Sequence, residues 1–135
     1  MNQENLKTRI KLEIEKGTES LRAANLLLEG ELYDEAVSSA YYVMFHITKA
    51  LLLTINEEPS THHGLITLFG LHFIKPNLIE IEYNDLLIDA KESREAGDYD
   101  AARKFTKAEA TEKVESADSF FKHISKFIKD KGFLQ

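Results

Sequence analysis

Cysteine is absent from this 135-residue chain, so no disulfide framework and no thiolate metal site can form, and nothing argues for an oxidising compartment. Two prolines and six glycines are few for the length and nowhere gather into a linker, and no repeat of about 20 to 50 residues interrupts the chain. Uninterrupted apolar runs fall far short of the roughly 20 residues a bilayer span needs. The opening stretch MNQENLKTRIKLEIEKG is charged throughout, without the apolar core of a secretion signal. These absences point to a cytoplasmic protein with no membrane role. A surplus of positive charge is also lacking: the formal net charge is −6, which opposes a non-specific grip on a phosphate backbone and leaves nucleic acid only a local site. The hydrophobic share of 43% is enough to fold residues 1–135 as a single domain without staples.

The apolar residues recur with the period of helices. Leu6, Ile10, Ile14, Leu21, Ala24 and Leu28 mark a first helix over about 4 to 29. Gly17 lies on the same stripe, where it costs about 1 kcal/mol against alanine, so a bend or a close helix crossing is expected there. Gly30 suits the left-handed residue that closes a helix. A second helix over about 32 to 55 carries one stripe of Val37, Tyr41, Met44, Ile47 or Thr48, Leu51 and Ile55 and another of Tyr42, Phe45, Lys49 and Leu52. Two apolar stripes mean burial on two sides, so this helix is central or also forms a subunit interface. Ser38, Ser39 and Ala40 are small enough to admit a neighbouring backbone. Ser60 or Thr61 caps a short third helix over about 62 to 74, which Pro76 stops. A fourth, about 78 to 96, buries Ile79, Tyr83, Leu86 or Leu87 and Ala90, with Gly97 as its left-handed end and DYDAARKF as a loop. Thr106 and Glu109 have capping-box spacing and open a final helix with Ala110, Val114, Ala117, Phe121, Ile124 and Ile128 inward. No segment alternates with period two over a strand's length. The expected fold is all-α, an up-and-down antiparallel four-helix bundle with an additional short helix.

Polar groups on this frame carry whatever chemistry there is. Tyr41 and Tyr42 point about 100 degrees apart on the second helix, so at least one fills the core with its hydroxyl on a polar partner, while the other is open to a ligand. His46 lies four residues after Tyr42 on the same face. It is either a hydrogen-bonded structural residue or a proton donor and acceptor. His62 and His63 are adjacent and cannot share a helix face, so they make a poor metal pair; Thr61 and His62 also read as an ordered entry into the third helix. Arg94 falls four residues after Ala90, near the end of an apolar stripe, where a guanidinium needs a partner. Asp98 stands four residues on, followed by Tyr99. Either Arg94 and Asp98 form a structural bridge or Arg94 grips a phosphate or a partner's carboxylate. Lys122, Lys126 and Lys129 form a basic strip that reads as a solvated face. Phosphate-loop, dinucleotide and zinc-protease signatures are absent, no Ser, His and Asp set is suggested, and no metal or cofactor is implied.

The stretches AVSSAYYVMFHITKALLL (36 to 53), PSTHHGLITLFGLHFIK (59 to 75) and SREAGDYD (93 to 100), in that order, give the chain a resemblance to the HEPN domain family, in particular its small stand-alone archaeal and bacterial members. The resemblance implies four long antiparallel helices plus a short one, commonly as a homodimer. It also implies a minimal nucleotidyltransferase as partner, in systems regarded as toxin and antitoxin pairs. Many family members are ribonucleases that use an arginine followed after four to six residues by a histidine. Arg9, Arg22, Arg94 and Arg103 all lack such a histidine, so that metal-independent RNA cleavage does not carry over directly. Any cleavage would need His46 or His62 assembled with Arg94 around the scissile phosphate. Two functions follow as expectations. The first is a dimeric module binding a nucleotidyltransferase, a nucleotide or RNA through a hollow where Tyr42, His46, His62, Arg94, Asp98 and Tyr99 converge. The alternative is an RNA endonuclease with a non-standard site.

Overall fold

The first helix, α1 (Gln3–Glu29), begins where the Asn2 side chain accepts the Asn5 N–H at 2.8 Å and satisfies one of the amides that a helix start leaves open. The structure, a computed structural model, describes residues 2–99 and 104–134, with the side chains of Gln3 and Tyr99 outside the described set. After α1 come α2 (Tyr33–Leu53), α3 (His62–Phe69), a π-helical turn (Gly70–Ile74), α4 (Ile81–Tyr99) and α5 (Lys107–Asp130). The described residues contain no strand, and the fold is all-α.

Four long helices run up, down, up and down. Ser39 Oγ donates to the Ser20 carbonyl at 2.8 Å, tying α2 antiparallel to α1 through the small residues at its start. Tyr83 of α4 packs on Phe120 of α5, and Lys113 of α5 is bonded to Asp89 of α4, which sets that pair antiparallel too. Helix α2 is the centre. It touches α1, α3, α4 and α5, whereas α1 and α4 do not touch each other. The first stripe explains this position, with Val37, Tyr41, Met44, Ile47, Thr48 and Leu51 all buried; of the second only Leu52 is buried, while Tyr42, Phe45 and Lys49 are partly exposed. Ile55, expected on the same stripe, is 39% exposed because the helix has already ended at Leu53. By length and composition α2 could cross a bilayer, a property that counting uninterrupted apolar runs passes over; 67% of its most apolar window is buried inside the bundle.

Gly17 marks a close crossing. A Cβ there would lie 2.8 Å from Cε2 of Phe121 and 3.7 Å from the Val43 carbonyl oxygen, so the missing side chain is what lets α5 and α2 approach α1. The capping box at Thr106 and Glu109 forms as its spacing predicts, with both reciprocal bonds present. Of the two hydroxyls offered at the start of α3, Thr61 is the cap, accepting from Gly64 N at 2.9 Å.

The helix ends differ from the sequence expectation. Gly30 is not left-handed; Glu31 is, with φ 63°. The Leu32 N–H bonds to the Leu27 carbonyl and the Glu31 N–H to that of Leu28, the paired pattern of a Schellman motif. The same pattern recurs at Asn56 after α2, at Asn77 after the π-helical turn and at Gly132 after α5, each with positive φ. Only the last of the four falls on a glycine, and neither Gly30 nor Gly97 is among them; asparagine tolerates this conformation, and Glu31 is held in it by its two flanking bonds. Gly97 ends nothing: α4 continues through it to Tyr99, so Asp98 and Tyr99 are helical rather than part of a loop. Its role is room, since a Cβ would stand 3.3 Å from the Phe105 ring. The rest of the expected loop, residues 100–103, lies outside the described residues. On α5 the deeply buried ring is Phe120, fully inaccessible, while Phe121 is partly buried over Gly17.

Candidate functional site

Three elements bring aromatic and cationic side chains together on one side of α2. Tyr41, with no exposed surface, places its hydroxyl 2.6 Å from Nδ1 of His62 at the start of α3. The His62 ring stacks on Phe45 at 4.6 Å between centroids. From α4, the Arg94 guanidinium lies 5.1 Å over the Tyr42 ring and 5.7 Å over that of Tyr41, within range of cation–π attraction. The packed aromatic bodies of Tyr41, Tyr42 and Phe45 form one cluster with His62 and Arg94, which answers what two adjacent tyrosines do on this helix. Tyr41 is core with a bonded hydroxyl, and Tyr42 is partly exposed beneath the arginine.

Arg94 and Asp98 share α4, with Arg94 Nε 3.4 Å from Asp98 Oδ2. That Nε is buried and finds no acceptor in hydrogen-bonding geometry, so the bridge is loose. It also joins two residues of one helix and does not pin a loop to the bundle. The side chain of Tyr99 lies outside the described residues. His46 faces the other way: its Nδ1 meets Glu13 Oε2 of α1 at 3.0 Å, with Lys49 and Lys16 on the other oxygen at 3.5 and 3.7 Å. Burial alone would raise the Glu13 pKa, but the bond to His46 and the two ammonium groups outweigh it and hold the carboxyl below its usual value.

His46 and Arg94 therefore do not open into one hollow. His46 borders a broad groove with Ser20, Ala23, Ser39 and Tyr42. Arg94 borders a separate hollow of about 260 Å³ with Asp34, Ser93, Asp98 and Phe105. Glu35 and Ser38 edge both, and Tyr42 stands between them, under Arg94 on one side and on the groove wall on the other. Three carboxylates, those of Asp34, Glu35 and Asp98, face the single guanidinium of Arg94 in its hollow. Among the described residues no group of three or more His, Asp or Glu could hold a metal ion. Glu13 and Phe45 are the participants that sequence reasoning missed: Glu13 falls beside the apolar stripe of α1, and the stack of Phe45 on His62 joins segments that nothing in a single sequence pairs.

The Tyr41 and His62 pair has a defined protonation logic. Burial pushes the Tyr41 hydroxyl well above its ordinary pKa despite the opposing pull of Arg94, so it keeps its proton. If His62 Nδ1 carried a hydrogen, the buried tyrosine O–H would lose its acceptor at a cost of about 1–3 kcal/mol. Neutral His62 thus holds its proton on Nε2, which makes no hydrogen bond among the described residues. Burial lowers the His62 pKa, and the nearby Arg94 and Lys91 charges lower it further. The folded state then binds fewer protons than the unfolded chain below the ordinary histidine value of about 6.5. Folding stability is expected to decline as the pH drops through that value towards the depressed one, and His62→Gln should flatten this part of the curve. Urea titrations at half-unit pH steps measure it, and an unchanged slope in the variant would count against the assignment.

A model of the HEPN domain matches residues 10–127. Two proteins of Methanocaldococcus jannaschii, each named "Putative toxin", are similar along most of their length. One is 40% identical over 117 residues, 87% of this chain and 87% of its own. The other is 37% identical over 122 residues, 90% of this chain and 83% of its own. A UPF0332 protein of Gloeobacter violaceus is 39% identical over 89 residues, 66% of this chain and 71% of its own.

Proposed function

The chain belongs to the HEPN family, and from that membership we propose that it is a toxin-like module working through protein partners, a second copy of itself and a minimal nucleotidyltransferase, seated along the uncovered strip of α2. The observation that carries this reading is the gap between α1 and α4. Because those helices do not touch, the α2 positions Glu35, Ser38, Tyr42, Phe45 and His46 stay partly or fully exposed along the middle of the bundle, with two hollows meeting at Glu35 and Ser38. An amphipathic face with an aromatic centre and a polar rim is the usual make-up of a docking surface. The local charge favours protein over nucleic acid, since Asp34, Glu35 and Asp98 oppose a phosphate backbone.

A second reading rests on one specific feature, the assembly of Arg94 and His62 from separate segments around Tyr41. There a phosphate of a nucleotide or RNA would meet the guanidinium and the Nε2–H of His62. His62 so protonated is a donor rather than a base, which supports binding over cleavage.

Light scattering on the purified chain at micromolar concentration is expected to give a dimer, and Tyr42→Glu a monomer of unchanged helicity. A monomeric wild type that also fails to co-elute with a minimal nucleotidyltransferase sinks the docking reading. Incubation with structured and single-stranded RNA in EDTA is expected to leave the RNA intact. Cleavage that disappears in both Arg94→Ala and His62→Ala would replace docking with catalysis.

A further inference from the structure

On the opposite side of the His46 and Glu13 pair from Tyr42 lies a smaller cup that shares no residue with the Arg94 hollow and does not depend on the reading above. Its volume is about 170 Å³. Helix α1 supplies Arg9, Leu12, Glu13 and Lys16, α2 supplies Lys49 and Leu53, and the chain after α2 supplies Glu57, Glu58 and Pro59. That volume is well under the roughly 300–1,000 Å³ of sites for drug-sized ligands, so a nucleotide does not fit and the occupant is a much smaller molecule.

The charges in the cup sort into two walls. Arg9 and Glu58 pair with each other. Lys16 and Lys49 share the one carboxylate of Glu13, which also accepts from His46 and is only 12% exposed. The helical wall therefore presents two ammonium groups against one carboxylate already in use. The loop wall presents Glu57, which forms no ion pair among the described residues. Between the walls lies apolar surface: Leu53 is buried and Leu12 is 51% exposed. A surplus cation, a surplus anion and a greasy floor within one small cup match a molecule that carries both charges and a hydrocarbon branch.

We propose that this cup binds a zwitterionic α-amino acid with an aliphatic side chain, its carboxylate against Lys16 and Lys49, its ammonium against Glu57 and its side chain over Leu12 and Leu53. Both charged groups of the ligand are used, so removing either one weakens binding by the loss of a charge-assisted hydrogen bond, about tenfold or more. Leu53 belongs to the core, but Glu57 lies at the edge of the site, so Glu57→Gln leaves the core untouched.

Titration of the full chain with leucine, followed by methyl resonances, is the test. Saturable shifts at Leu12 and Leu53 are expected. 4-Methylpentanoate, without the ammonium, and 3-methylbutylamine, without the carboxylate, should each bind about tenfold more weakly. Glu57→Gln should weaken leucine by a similar factor and leave 4-methylpentanoate unaffected. The proposal is overturned by an absence of saturable shifts, by 4-methylpentanoate matching leucine, or by leucine binding the Glu57→Gln variant as tightly as the parent.

Discussion

Phe120→Ala is expected to remove about 3–5 kcal/mol of folding stability, and Phe121→Ala a much smaller amount, about 1–2 kcal/mol. The two residues are neighbours of identical chemistry, so the difference isolates burial. Phe120 has no exposed surface and packs its ring against Phe69 at 6.0 Å and Tyr83 at 6.1 Å, joining the end of α3 to α4 and α5. Truncation there leaves a cavity that three elements would have to close together. Phe121 is partly buried and leans on the bare backbone at Gly17. Its loss opens a gap at the edge of the bundle, which water and nearby side chains fill. Urea midpoints at constant slope give both numbers. Equal losses, or a larger loss at Phe121, would mean that α5 is rotated from the orientation described. The Gly17 contact adds an internal check: in the Phe121→Ala background, Gly17→Ala should cease to be harmful, because the ring edge it would strike at 2.8 Å is gone.

Tyr41→Ala should cost a similar 3–5 kcal/mol, and Tyr41→Phe only about 1 kcal/mol. The gap between these variants separates the ring from the hydroxyl. The ring is wholly buried beside Tyr42, Phe45 and the guanidinium of Arg94, so deleting it disturbs the α2, α3 and α4 junction at once. The hydroxyl has one partner, His62 Nδ1. That histidine is partly exposed, and water can take over the bond in the phenylalanine variant. A phenylalanine cost near that of alanine would show that the hydroxyl, not packing, holds the junction. The ionisation of this tyrosine provides a second readout. Burial keeps its proton on well past the usual phenol range, so alkaline spectrophotometric titration of the folded protein should leave one tyrosine untitrated until unfolding, and Tyr41→Phe should abolish that silent group.

Much of the architecture could be read from residue order. The capping box at Thr106 and the missing side chain at Gly17 are local signals whose physical cause acts over a few residues, and each is found where its pattern puts it; of the two stripes on α2 the first is buried as far as Leu51, whereas Tyr42, Phe45 and Lys49 of the second stay partly exposed. What escaped depends on distance or on near-degenerate geometry. Positions 120 and 121 both continue the spacing of Ala110, Val114 and Ala117, and only the packing of Phe69 and Tyr83 decides which turns inward. Glycine placement predicts left-handed ends at Gly30 and Gly97, yet three of the four among the described residues fall on Glu31, Asn56 and Asn77, where the hydrogen bonds of the turn outweigh the preference of the residue. Tyr42, His62 and Arg94 were singled out for chemistry and do gather. The expected single hollow with His46 fails because Glu13, on another helix, draws that imidazole to the far side of Tyr42.

The central place of α2 also has a consequence for how the chain is made. Its 21 residues are apolar enough to pass for a membrane span, and α5, which covers part of that surface, is made only after α3 and α4. At about 5–20 residues per second, α2 waits several seconds with only α1 to cover it. During that interval its uncovered apolar side is open to chaperones, interrupted by the polar side chains of Ser38, Ser39, His46 and Lys49.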